Sequence, residues 1–356
     1  MALEESQEPN QLHFLVIPMG SPGHYIPTID MAKLVAQHGV RVNIVTTPVN
    51  AFRLGSILDQ AIQSGMSDFN EKLQVSESEA YGVVVNSFEE LEQGYVGEYQ
   101  KVKGDKVWCI GPLSLCHKDE SEKVQRGKKS SINKNECLKW LDSQENSSVI
   151  YACLGSVNRI EPARFIELAL ALESSKRPFI WVVRAGHKTE KIEKWIDEVE
   201  FEERTKDRGL LIHGWAPQLL ILSHPAIGGF LTHCGWNSTL EGVSAGVPLV
   251  TWPQFQQQFY NEKLVVQVLR VGVSVGAQKT VWGDEDKSGE VVKREEFIKA
   301  IEMVMEEGKE GEERRKRAKE FGKMANKAIE EGGSSCRNMT RLIEDIRNQS
   351  STRNLS

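Results

Sequence analysis

The sequence predicts an α/β protein with two doubly wound, parallel-sheet halves, the first of them short. Three observations predict it. Apolar runs without polar interruption recur along the chain, as in strands covered on both faces. Segments with helical spacing alternate with those runs. A highly charged stretch, HKDESEKVQRGKKSSINKN (117–135), nearly free of large apolar groups, separates the two sets.

In order, LHFLVIP (12–18) reads as a buried strand. Residues 27–38 follow with Ile29, Ala32, Leu34 and Val35 at helical spacing. VRVNIVTTP (40–48) is a second strand, and NAFRLGSILDQAIQSG (50–65) a helix closed by Gly65. YGVVVNS (81–87) and VWCIGP (107–112) bring the first half to four strands. The second half carries six: SSVIYACLGS (147–156), PFIWVVR (178–184), GLLIHGW (209–215), GGFLTH (228–233), VPLVTWP (247–253) and VGVSVGA (271–277). Six strands alternating with helices make a complete Rossmann-like domain, whereas the first half falls short of the roughly 150 residues such a domain needs. Residues 294–330 form amphipathic helices whose charges alternate in sign, which reads as a solvated face. The expected organisation is therefore a truncated N-terminal domain (1–116), a linker (117–135), a C-terminal domain (136–330), and a C-terminal helix and tail (331–356).

Composition narrows the function classes. The 356 residues are 40% hydrophobic and 26% charged, with a net charge of −6, so no global basic field holds nucleic acid or acidic lipid. Six cysteines (109, 116, 137, 153, 234 and 336) show neither CxxC nor zinc-ligand spacing and read as reduced thiols of a cytoplasmic protein. The acidic, polar start MALEESQEPNQLHF is not expected to be a signal peptide. No apolar stretch reaches the ~18 residues of a membrane helix, so stable membrane insertion is not expected.

Chemistry concentrates in GGFLTHCGWNSTLEG (228–242), where a buried strand runs into a helix. The plain reading is a capped helix start. The functional one is an anion socket: backbone amides at the strand's carboxyl end, the positive end of the helix dipole, Gly235 for close approach, His233 as a donor, and Asn237 and Ser238 as caps that can also donate. Glu241 lies one turn along, placed to accept from sugar hydroxyls. Trp215 in WAPQ (215–218) offers a flat face at another strand end, against the alternative of a half-buried core residue. Gln257 and Gln258 follow a third strand. All three segments sit where open α/β sheets bind ligands.

The run WAPQLLILSHPAIGGFLTHCGWNSTLEGVSAGVPLVTWPQFQQQFYNEKL resembles the signature box of plant secondary-product UDP-glycosyltransferases. LHFLVIPMGSPGHYIP (12–27), YGVVVNSFEELE (81–92), IGPLSLC (110–116), ECLKWLDS (136–143), VIYACLGS (149–156) and EEGGSSCRN (330–338) extend the likeness, above all to the flavonoid and terpenoid branch. The resemblance implies a GT-B fold with the donor held by the C-terminal domain. It implies that Trp215 stacks on uracil, Ala216 meets it through backbone atoms, and Gln218 and Glu241 hold the ribose. His233, Asn237 and Ser238 would take the diphosphate, with Ser156 nearby, and Trp236, Gln257 and Gln258 the sugar. His24, in SPGHYIP (21–27), would be the catalytic base of an inverting transfer from UDP-glucose to a small hydroxylated metabolite. UDP-sugar is then a co-substrate, and no cofactor or metal is expected. The Asp284-Glu-Asp286 sequence in GDEDKSGE reads as a solvated acidic loop.

Two departures from the family pattern stand out. Gln257 occupies a position where the family usually has an acidic residue, which removes a charge from the sugar contacts. Between Gly65 and Asp68 the family carries well over a hundred further residues, including most of the acceptor pocket and the aspartate that orients the catalytic histidine. Asp30, Asp59 and Asp68 are the nearest candidates for that aspartate, and none has matching surroundings.

Overall fold

The computed structural model describes residues 12–16, 22–44, 80–155, 161–183, 189–255, 257–278 and 291–353. The chain divides into two compact units, one of Met1–Cys116 with Lys327–Ser356 and one of His117–Asn326. The charged stretch 117–135 belongs to the second unit, and the C-terminal helix belongs to the first.

The first unit contains β1 (His13–Val16), α1 (Pro22–Gln37), β2 (Arg41–Ile44), β3 (Val83–Val85), α2 (Tyr95–Lys103) and β4 (Val107–Cys109). β1 pairs in parallel with β2, from His13↔Arg41 to Val16↔Ile44, and β3 pairs in parallel with β4. α1 starts several residues ahead of the helix that spacing predicts, so His24 lies in its first turn. Pro27 is thus inside the helix rather than at its start. Proline removes one amide from the ladder there, and the Thr28 hydroxyl supplies a donor to the same turn, 2.7 Å from the His24 carbonyl. The expected helix 50–65 and the far half of the expected strand 40–48 lie outside the described residues.

Parallel strands are normally covered on both faces. In this unit, Leu15 on β1 is 61% exposed and Ile44 on β2 is 41% exposed. The first unit's sheet segments therefore keep apolar side chains in water. Its core is instead built on one side, where Val35, Val40, Trp108, Ile110 and Leu113 meet Met339, Leu342 and Ile343. Those last three come from the C-terminal helix, Ser334–Arg353. Polar anchors seat that helix. The Asn338 amide, 2% exposed, donates to Glu89 Oε1 at 2.9 Å and to the Cys109 carbonyl at 3.1 Å. Ser334 Oγ donates to Glu90 at 2.7 Å, and Tyr81 donates its hydroxyl to Asp345 at 2.7 Å.

The second unit opens with α3 (Glu120–Gln125) and α4 (Lys134–Asp142). Next come β5 (Val149–Cys153), α5 (Pro162–Ser174), β6 (Phe179–Val183), α6 (Thr189–Glu198), α7 (Phe201–Thr205), β7 (Gly209–His213) and α8 (Gln218–Leu222). The chain continues through β8 (Ile227–Thr232), α9 (Trp236–Ser244), β9 (Leu249–Thr251), α10 (Gln257–Lys263), β10 (Gly272–Ser274), α11 (Arg294–Met305) and α12 (Lys309–Ile329), which runs on into the first unit. Its six strands form one parallel sheet in the order β7-β6-β5-β8-β9-β10. That is the order 3-2-1-4-5-6 of the Rossmann fold, with its switch point between β5 and β8. Every residue of β5, β6 and β8 is buried. Trp181, Phe201, Phe297, Trp252 and the α5 leucines pack the core between sheet and helices.

Replacing Asn338 with alanine leaves the Cys109 carbonyl and Glu89 without that donor. The loss should be about 1–3 kcal/mol of first-unit stability, read as a shift of one urea transition while the second-unit transition stays in place.

Candidate functional site

β8 ends at Thr232, and three residues turn the chain into α9. Cys234 takes a left-handed conformation (φ 62°), rare for a residue with a Cβ. Its carbonyl accepts from Asn261 Nδ2 at 2.8 Å, and its amide donates to Thr232 Oγ1 at 3.4 Å, so the turn is held from both sides. Burial holds the Cys234 thiol well above its ordinary range, so it stays protonated and is no nucleophile. Gly235 is the N-cap, extended at φ −60° and ψ 140°, and has no side chain to cap the first turn. The helical ladder opens with the Thr239 amide donating to the Gly235 carbonyl at 2.9 Å. Asn237 and Ser238, expected as caps, therefore lie inside the first turn. The turn's positive end faces the switch point.

His233 sits at that switch point in a slot made by two glycines. A Cβ at Gly155, just past β5, would come 2.4 Å from the imidazole, and one at Gly235 would come equally close. Gly155 also has φ +78°, so it serves both as a turn and as a wall that lets the ring approach. Ser156 lies outside the described residues.

Gln218 joins the separate motifs. Its Nε2 donates to Glu241 Oε2 at 2.7 Å and to Ser238 Oγ at 3.2 Å, and its Oε1 accepts from the Tyr151 hydroxyl at 3.2 Å. Donors and acceptors on both ends set the amide's orientation. β7 lies three strand spacings from β8, roughly 14 Å. The five residues after His213 can span up to about 17 Å, enough to bring α8 back across the sheet's carboxyl end. Trp215 and Ala216 lie on that crossing segment, Trp215 half-buried and Ala216 buried. Tyr151 was not among the expected site residues. Its signal was a lone tyrosine hydroxyl inside a fully buried strand, which has to find a partner.

A second addition comes from the charged stretch 117–135. Arg126 forms an ion pair with Glu241 Oε1 at 2.7 Å, the two side chains only 11% and 4% exposed. Ser131 and Trp215 bond reciprocally: the Ser131 amide donates to the Trp215 carbonyl, and the Trp215 amide donates to Ser131 Oγ, each at 2.8 Å. Charge composition reads this stretch as a linker, yet α3 packs on α8.

The remaining expected residues are placed as follows. Gln258 is buried, and its Oε1 accepts from the Gln254 and Phe255 amides at 2.8 and 3.3 Å, bracing the loop after β9. Gln257, first in α10, is exposed, and Trp236 is partly buried. His24 belongs to the first unit. Its side chain is exposed overall, yet partial desolvation of the ring lowers its pKa from the ordinary 6.5. Asp30 is buried on α1, while Asp59, Asp68 and the 284–286 acidic sequence lie outside the described residues.

The profile of the family described as UDP-glucoronosyl and UDP-glucosyl transferase matches residues 126–305. UDP-glycosyltransferase 73C6 of Arabidopsis thaliana is 37% identical, covering 97% of this chain and 98% of the relative. That alignment runs over 487 positions against 356 residues, so well over a hundred positions of the relative have no counterpart here. UDP-glycosyltransferase 73C25 of Barbarea vulgaris is 53% identical over 290 residues, 81% of this chain and 59% of the relative. Among solved structures, UGT73P12 of Glycyrrhiza uralensis, complexed with glycyrrhetinic acid 3-O-monoglucuronide, superposes with a TM-score of 0.85 at 31% identity. It covers 97% of this chain and 98% of its own. Arabidopsis thaliana UGT89C1, complexed with UDP-L-rhamnose, gives 0.73 at 28% identity over 95% and 99%.

Tyr151→Phe removes the donor that orients Gln218. Stability of the second unit should fall by about 1 kcal/mol in denaturant titration, and a crystal structure of the variant should show the Gln218 amide nitrogen still on Glu241.

Proposed function

The chain belongs to the plant UDP-glycosyltransferases, and from that premise we propose that its second unit binds a UDP-sugar. The chain transfers that sugar, glucose with inversion, to a hydroxyl of a small plant metabolite such as a flavonoid or terpenoid. One observation carries the reading: Gln218, Ser238 and Glu241 are joined by hydrogen bonds at the opening of α9, at the switch point of a Rossmann-ordered sheet. A helix start there carries about half a positive charge and suits a diphosphate. In this reading Trp215 and Ala216 take uracil, and Gln218 and Glu241 take the ribose. His233, Asn237, Ser238 and Ser156 take the diphosphate, and Trp236, Gln257 and Gln258 the sugar. The UDP-L-rhamnose bound to UGT89C1 and the glycoside bound to UGT73P12 support a UDP-sugar donor and a small-molecule acceptor. Six cysteines without a disulfide support a cytoplasmic setting, and no helix among the described residues is long and apolar enough to cross a membrane.

Transfer requires a base for the acceptor hydroxyl and stabilisation of the departing diphosphate. Residues around α9 supply the second, with no step that calls for a metal. His24 supplies the first, and its lowered pKa keeps the imidazole neutral at pH 7 and able to take a proton. A second reading, UDP-sugar binding without turnover, is favoured by the exposed Leu15 and Ile44 and by the more than a hundred positions of the Arabidopsis relative that have no counterpart here.

Titration calorimetry with UDP and product formation from UDP-glucose and quercetin separate the two. Binding with product supports transfer, binding alone supports the second reading, and no binding overturns both. His233→Ala should weaken UDP by roughly tenfold, and unchanged affinity would remove His233 from the diphosphate. Where product forms, protonation of His24 removes the base. The rate should therefore be flat above pH 7 and fall on acidification with a midpoint below 6.5, and a midpoint above that value would point to another base.

A further inference from the structure

Glu241 carries two engagements that divide its carboxylate. Gln218 holds Oε2 at 2.7 Å and Arg126 holds Oε1 at 2.7 Å. The Arg126–Glu241 pair is almost fully withdrawn from solvent, at 11% and 4% exposure. The arginine arrives from the stretch 117–135, which is tied down again at Ser131. There, two hydrogen bonds of 2.8 Å join it to the backbone of Trp215, and a Cβ on Gly214 would come 2.3 Å from Ser131 Oγ. The same short segment thus touches two of the residues assigned above to the nucleoside, the Glu241 carboxylate and the backbone of Trp215.

An unpaired buried carboxylate is unfavourable on its own. It would be more so here, because Gln218 connects Glu241 to Ser238 in the first turn of α9, where a diphosphate is to bind. Across a partly buried site, two like charges repel more than they would in water. A guanidinium on the carboxylate makes the pair neutral and fixes the plane of its oxygens.

We propose that Arg126 is a positioning residue of the donor site. It neutralises and orients Glu241 so that this carboxylate can face ribose hydroxyls beside a dianionic diphosphate, and residues 126–131 are a working edge of the nucleotide pocket. The proposal rests on the donor-site reading above.

The test is calorimetric titration of the full chain and its Arg126→Ala, Arg126→Lys and Arg126→Ala/Glu241→Gln variants with UDP and with uridine, which shares the nucleoside and lacks the phosphates. Arg126→Ala should weaken UDP by roughly tenfold or more and uridine distinctly less. Arg126→Lys should recover part of the loss. The double variant, which removes the orphaned charge, should return the UDP-to-uridine affinity ratio toward that of the parent chain. It also keeps the test open if the single alanine variant fails to fold. Equal losses for UDP and uridine would make the role of Arg126 purely structural and overturn the proposal. Tighter UDP binding would overturn it too, by making Arg126 a competitor of ribose for Glu241. A parent chain that does not bind UDP would remove the donor-site reading itself, a result visible before any variant is compared.

Discussion

Burial of the Glu241 carboxylate is the constraint around which the carboxyl edge of the second unit's sheet is arranged. Withdrawing an ion from water is unfavourable by several kcal/mol unless hydrogen bonds and an opposite charge replace its hydration. Gln218 and Arg126 provide both, and each brings a different part of the chain with it. Gln218 draws in α8 and, through Tyr151, the central strand β5. Arg126 draws in the charged stretch ahead of α4. One buried acid therefore ties strand, helix and connecting segment into a single polar network at the sheet's carboxyl edge.

His233 shows the complementary principle, in which absence of side chain does the positioning. Gly155 and Gly235 follow the two strands that flank the switch point, and the imidazole fills the space their missing Cβ atoms leave. The left-handed Cys234 completes the turn, held by Asn261 and Thr232. Sheet order brings these residues together: β5 and β8 are distant in sequence and adjacent in space.

The two units answer the same architectural demand unequally. In the second, β5, β6, β8 and β9 are buried throughout and pack into one core. In the first, strands of the same parallel kind leave Leu15 and Ile44 in water, and the C-terminal helix covers a separate side through Met339, Leu342 and Ile343. By the family pattern, the positions this chain lacks are expected in the half that shows these bare residues. That half also carries His24.

All six strands of the second unit, the parallel character of both halves and the α/β class were legible in the sequence, because uninterrupted apolar runs have few other ways to be buried. The motif residues at strand ends were legible for the same reason, since the end of a buried run marks where ligands reach a sheet. The start of α1 was misread, because a proline inside a helix looks the same in sequence as one that begins it. The roles of Arg126, Ser131 and Tyr151, the return of the C-terminal helix to the first unit, and the division of the Glu241 carboxylate were decided only by tertiary structure. Local pattern reports which residues must leave water. Which partner meets a buried charge depends on distances across the fold, and those arise only once the sheet has ordered its strands.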